Sequence, residues 1–205
     1  MKFHNKYVFV NCPFEDGDYS ELFNSIIFTI IDCGFKPRCA KEKVDSGEDR
    51  ISKIQNIIEH CQFGIHDISM TTLDPSTKLP RFNMPLELGL FLGAKRYSTL
   101  KSQKAKQCLI MDKAYHNYDK SISDLSGNDI VVHYMKVSNV IYEVRNWLAH
   151  FSKNLIPGGE DIYKRYQDFQ IEIPTICQKK CLNPSKLSYN DFLIITERWL
   201  KQSYG

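Results

Sequence analysis

Apolar residues along this chain switch between two periods. Tyr7 to Asn11 is a β-branched and aromatic run ending at Pro13, and it predicts a buried strand. From Tyr19 to Cys33 apolar positions recur at helical spacing (Leu22, Phe23, Ile26, Ile27, Ile30, Ile31), and Gly34 is the stop signal. Phe35 to Ala40 predicts a second strand, interrupted by Pro37. Glu48 to His60 predicts a helix with Ile51, Ile54, Ile57 and Ile58 on one face, and Gln62 to Ile68 a third strand. Pro85 to Lys95 reads as a helix, Gln107 to Met111 and Asp129 to His133 as strands, and Val137 to Phe151 as a helix carrying Trp147.

Strands thus alternate with helices to about residue 152, which predicts a parallel sheet with helices on both faces. Five strands suggest a flavodoxin-like α/β winding, in which ligands bind beyond the C-terminal strand ends, at the switch between strands one and three. The loops expected there are residues 11–18, 41–47 and 69–83. Leu155-Ile156-Pro157-Gly158-Gly159 breaks the pattern and divides an α/β domain, residues 1–153, from a helical C-terminal extension, residues 154–205. In that extension Asp161 to Gln178 reads as helical although Pro174 interrupts it, and Ser188 to Gln202 carries a stripe of Tyr189, Phe192, Ile195 and Trp199.

Composition narrows the classes. A net charge of +3 over 205 residues is mild and does not predict direct nucleic-acid binding, which normally shows a concentrated basic face. The local run of Lys95, Arg96, Lys101, Lys104 and Lys106 reads as a solvated helix end and loop. No signal peptide is evident, and no apolar run reaches the roughly 20 residues of a membrane span. Seven scattered cysteines suggest a reducing, cytoplasmic setting. Cys177 and Cys181 have a zinc-compatible spacing but lack a second ligand pair, so no metal site is expected. The chain has no GxGxxG, no phosphate loop followed by Lys-Ser/Thr and no Gly-x-Ser-x-Gly, which argues against a nicotinamide redox enzyme, a P-loop NTPase and an α/β-hydrolase.

The stretch richest in chemistry is Phe82-Asn83-Met84-Pro85-Leu86-Glu87-Leu88-Gly89. Pro85 marks a helix start and puts Glu87 in the first turn, at the mouth of the sheet. The polar residues expected around the crevice are Asn11, Asp16, Asp18, Arg38, Asp45, Ser46, Asp67, Ser69, Asn83 and Glu87, with Phe14 beside them. Carboxylates, neutral hydrogen-bonding groups and an aromatic face suit a sugar and a flat base better than a transition metal.

Three separated motifs carry a resemblance. Val8-Phe9-Val10-Asn11-Cys12-Pro13-Phe14 resembles the first strand and turn of nucleoside 2-deoxyribosyltransferases. Ile65-His66-Asp67-Ile68 followed by Leu86-Glu87-Leu88-Gly89 resembles that family's strand-end aspartate and helix-borne glutamate. The same layout resembles Toll/interleukin-1 receptor (TIR) domains of the bacterial NAD-cleaving type, although Asn83 stands where their Trp-x-x-x-Glu pattern has tryptophan. The chain as a whole resembles TIR-like nucleotide-binding proteins of bacterial anti-phage defence. The resemblance implies that Glu87 is catalytic, stabilising an oxocarbenium-like sugar in NAD cleavage or attacking C1′ in a transferase. It implies a substrate-contacting Asp67 and a Phe14 that stacks on the base. Asn83 for a ribose hydroxyl and Arg38 for a phosphate are further inferences, and Asn11, Ser46, Ser69 and Met84 complete the expected binding set.

Simpler roles stand beside these. Glu87 would favour a helix N-terminus in any case. Asp67 suits a turn, His66 and Phe14 suit a core, and Arg38 could pair with Asp45 or Glu42. Cys12 has no evident histidine partner and is not expected to be a nucleophile. Three functions follow. The first is hydrolysis of NAD, or its conversion to an ADP-ribose-derived signal, with NAD as substrate and no cofactor. The second is a nucleoside N-glycosidase or deoxyribosyltransferase. The third is a non-catalytic nucleotide sensor or scaffold. The expected partners are a homo-oligomer copy or a defence-system effector, with the helical extension as the assembly or regulatory element.

Overall fold

A computed structural model describes residues 4–14, 17–42, 45–71, 78–119 and 121–204. Asp16 lies outside them. Five parallel strands, β1 (His4–Asn11), β2 (Lys36–Arg38), β3 (Cys61–Asp67), β4 (Gln107–Asp112) and β5 (Val131–Val132), form one sheet in the order β2-β1-β3-β4-β5. This is the flavodoxin-like α/β architecture expected from the alternation. Pro37 is accommodated because β2 is an edge strand, where a missing N–H costs little.

Side chains of β1 and β3 alternate between two cores, as the period of two requires. Val8, Val10, Phe63 and Ile65 point to one face, against α1 (Asp18–Asp32) and α5 (Val137–Ala149). Phe9 and His66 point to the other, against α2 (Arg50–His60) and α3 (Asn83–Tyr97), where Cys61 joins them from the very start of β3. A short helix, α4 (Lys101–Lys104), precedes β4. The chain reverses after α1 through Gly34 at φ 77°, with the Phe35 amide donating to the Ile30 carbonyl, a Schellman closure. Asp49 caps α2 by accepting from the Ser52 amide at 2.9 Å.

Helices α6 (Gly159–Gln178) and α7 (Tyr189–Tyr204) form a further layer outside α1. Phe28 of α1 meets Tyr166, Phe169 and Trp199 with ring centroids 5.3, 5.4 and 6.2 Å apart. The stripe of Tyr189, Phe192, Ile195 and Trp199 is buried there and continuous with the core against the sheet. Pro174 does not end α6; the helix runs through it to Gln178.

Two other expectations are corrected. Helix α3 begins at Asn83, so Pro85 is its third residue and Glu87 stands in the second turn rather than the first. Lys106 is not on a solvated face. It is fully buried, its ammonium donates to the Ile58 and Cys61 carbonyls at the end of α2, and it lies 4.9 Å from the centre of the Phe91 ring. No described helix is long and apolar enough to cross a membrane.

Candidate functional site

Loops leaving the C-terminal ends of β1 and β3 enclose a cleft of about 330 Å³ at the topological switch point. Its walls are Val10 to Phe14 from the end of β1, Ala40 beyond β2, Arg50 at the start of α2, and Arg81, Asn83, Met84 and Glu87 around the start of α3. A second hollow of about 190 Å³, lined by Ile51, Ile54 and Leu86, shares Arg50, Asn83 and Glu87 with the first. Glu87 therefore stands where a larger arm of mixed lining, carrying Arg81, meets a smaller apolar arm. A larger cavity, about 440 Å³, lies around Lys6, Gly34 and the residue 151–157 loop. It is at the N-terminal end of the sheet, where parallel strands do not gather their functional loops, so the switch-point cleft is the candidate site.

Glu87 is only 6% exposed. Burial pushes its pKa up to about 7, and Arg50 works against that shift, with Nη2 3.7 Å from Oε1. The Arg50 side chain itself is largely in solvent. This arrangement leaves the carboxylate able to gain or lose a proton near neutrality.

Asn11 is also buried, and its amide nitrogen is already committed. Nδ2 donates to the Met84 carbonyl at 2.8 Å and lies 3.1 Å from His66 Nδ1. The Met84 oxygen can only accept, which fixes the amide orientation. His66 Nδ1 is then an acceptor, and the ring proton is on Nε2. Burial, with the Lys106 cation nearby, pushes the His66 pKa down to about 3, so the ring is neutral. Phe9 and Phe91 meet it edge-on at 5.8 and 5.0 Å. His66 is the core histidine expected from its strand.

Asp67 and Ser69 are not in the cleft wall. Both are buried in a separate polar network at the ends of β3 and β4. Asp67 Oδ1 accepts from the Ser69 amide at 2.9 Å and from its hydroxyl, and Asp67 Oδ2 lies 3.5 Å from both Cys12 Sγ and His133 Nε2. Ser69 Oγ is 3.0 Å from His133 Nε2. Serine, histidine and aspartate thus meet, but the bonds run the wrong way for a nucleophilic triad. His133 Nδ1 accepts from the Met135 amide at 3.1 Å, so Nε2 carries the proton and cannot take one from Ser69. That bond holds a tight turn in which Tyr134 and Met135 both have positive φ, 53° and 56°. Burial pushes the Cys12 thiol well up, in keeping with an inert cysteine.

Arg38 is turned away from the cleft. Its guanidinium grips Glu42 with two bonds of 2.5 Å and covers the Tyr7 ring at 4.9 Å, so the phosphate role expected of it is corrected to a part-buried ion pair. Ser46 is exposed and outside the cleft wall. Asn83, Met84 and Phe14 line the cleft as expected. Lys41 Nζ sits 4.2 Å above the Phe14 ring, leaving that face to a cation rather than to a base. The cations that do line the cleft, Arg50 and Arg81, were not singled out by sequence. Each lies in, or within three residues of, a loop the topology sends to the crevice, which was the signal available. Among the described residues no group of three or more His, Cys, Asp or Glu side chains is placed to hold a metal ion.

Compared with known proteins, the chain matches no family model, no curated protein and no solved structure.

Proposed function

We propose that this protein cleaves the N-glycosidic bond of a nucleotide, with NAD as the preferred substrate and Glu87 as the catalytic carboxylate. The observation that carries the reading is the position of Glu87, a nearly buried carboxylate at the junction of two unequal hollows. A flat base would occupy the apolar arm of Ile51, Ile54 and Leu86. The phosphate-bearing remainder would lie in the larger arm, beside Arg50 and Arg81. The scissile bond then falls at Glu87. Ionised Glu87 stabilises the positive charge that develops at C1′ as that bond breaks. The bonding electrons leave with the pyridine nitrogen, nicotinamide departs neutral, and water or a second nucleophile adds to C1′ and loses its proton. The two guanidiniums favour NAD over an uncharged nucleoside, and the motif resemblance to NAD-cleaving TIR domains points the same way.

Incubation of the purified chain with NAD, followed by chromatography and mass spectrometry with Glu87→Gln in parallel, tests this. Nicotinamide release by wild type, lost in the variant, is the expected result. Intact NAD with cleavage of a free nucleoside would transfer the site to the deoxyribosyltransferase reading.

A further inference from the structure

Glu87 is carried by α3, and α3 is tied to the sheet through a buried polar link rather than by apolar contact alone. The Asn11 amide, at the C-terminal end of β1, donates one hydrogen to the Met84 carbonyl and the other to His66 Nδ1 on β3. Met84 precedes Glu87 by three residues, so the two lie on one side of the helix. The Met84 carbonyl has two lone pairs and accepts the Asn11 bond in addition to its own helical one. His66 is set in turn by Phe9 and Phe91 and by its close approach to Gly64, where a Cβ would stand 2.6 Å from Nε2. Neither Asn11 nor His66 is more than 3% exposed. An amide with both hydrogens used internally is not available as a donor to a ligand.

We propose that Asn11 and His66 are positioning residues: the Asn11 amide, oriented by His66, clamps the first turn of α3 and sets where the Glu87 carboxylate stands. The inference rests on the proposed role of Glu87 for its effect on catalysis, but the clamp itself is a statement about α3. A neutral histidine with Nδ1 as acceptor is the required partner, because a protonated ring would present a donor to a donor. The substrate-binding role expected of Asn11 becomes one of holding the helix that bears the carboxylate.

Two measurements on Asn11→Ala, His66→Leu and His66→Asn test it. Asparagine places an acceptor near the site of Nδ1, whereas leucine, of similar size, places none. Amide hydrogen exchange at Leu86, Glu87 and Leu88 should accelerate about tenfold or more in Asn11→Ala and His66→Leu, with α1 and α5 unchanged and His66→Asn close to wild type. In NAD cleavage the first two variants should lose kcat by about tenfold or more with little change in KM, and His66→Asn should retain most of it. A merely structural histidine would rank the variants by stability, and leucine would do at least as well as asparagine. Should Asn11→Ala fail to fold, the two His66 variants decide the question alone. Unchanged exchange at residues 86–88, or equal exchange in His66→Leu and His66→Asn, overturns the clamp. If wild type cleaves no N-glycosidic bond while exchange responds as stated, the clamp stands and the catalytic reading of Glu87 falls.

Discussion

A carboxylate moved out of water keeps its proton unless a cation offsets the loss, and at Glu87 the offset is a single, mostly solvated arginine. The sign of the resulting pH dependence follows. Below the ordinary value near 4.5 the group is protonated in folded and unfolded chains alike. Between there and about 7 only the unfolded chain releases the proton, so the folded state loses stability as pH rises. The loss is complete above that range and amounts to about 1–3 kcal/mol. Glu87→Gln lacks this slope. In urea denaturation it should gain on wild type between pH 5 and pH 8 by about that amount. Arg50→Met removes the offset and should move the ascending limb of the pH–rate profile for NAD cleavage to higher pH. The place of Glu87 was legible because a proline and an apolar helix flank it. Arg50 and Arg81 were not, because a single cation in a polar loop has no periodicity to betray which way it points. Arg38 misled for the same reason: its spacing from Glu42 fits an ion pair, yet its place at the end of an edge strand suggested the crevice. Lys106 was hidden in a run of lysines, and only the geometry of the end of α2 singles it out.

At the level of the element, β3 and α3 approach so closely that one strand position has no room for a side chain. A Cβ on Gly64 would meet His66 at 2.6 Å and the Phe91 ring at 2.9 Å. Gly64→Ala should therefore cost about 1–3 kcal/mol in chemical denaturation and accelerate exchange at the start of α3, the same readout expected to respond in Asn11→Ala. Strand and helix types were readable from the two hydrophobic periods, and with them the sheet order. The ends were less so. β5 shrinks to Val131–Val132, and α3 starts two residues before its proline, since first-turn N–H groups have no intrahelical acceptor and a proline there forfeits no bond. Asp67 and Ser69 illustrate what alternation cannot tell. They follow a strand at the ligand-binding end of the sheet, but a buried histidine from the end of β5 draws them into a closed network.

For the whole molecule, the informative element is α1. Its sequence from Leu22 to Ile31 contains no charged residue, and Ser25, Phe28 and Thr29 on the side away from the sheet are as buried as Ile26 and Ile27. A helical stretch with no charged face needs cover on both sides, and α6 and α7 supply it away from the sheet. That requirement was present in the sequence, but the stripe on α7 could equally have suited a partner. Truncation after Lys153 should uncover Phe28 and its neighbours. The expected outcome is loss of the cooperative unfolding transition and gain of binding to a hydrophobic dye, and a truncated chain that unfolds like the full one would show that the layer is dispensable. The same enclosure sets an order of events during synthesis. Residues 18–32 leave the ribosome well before Phe192 and Trp199, which close over them. The nascent chain therefore carries the uncharged stretch from Leu22 to Ile31 without its outer cover until the α7 segment is made. A ribosome that stalls before that point releases a product with the outer side of α1 bare, and exposed apolar surface of that kind is what aggregates or is triaged by chaperones and proteases.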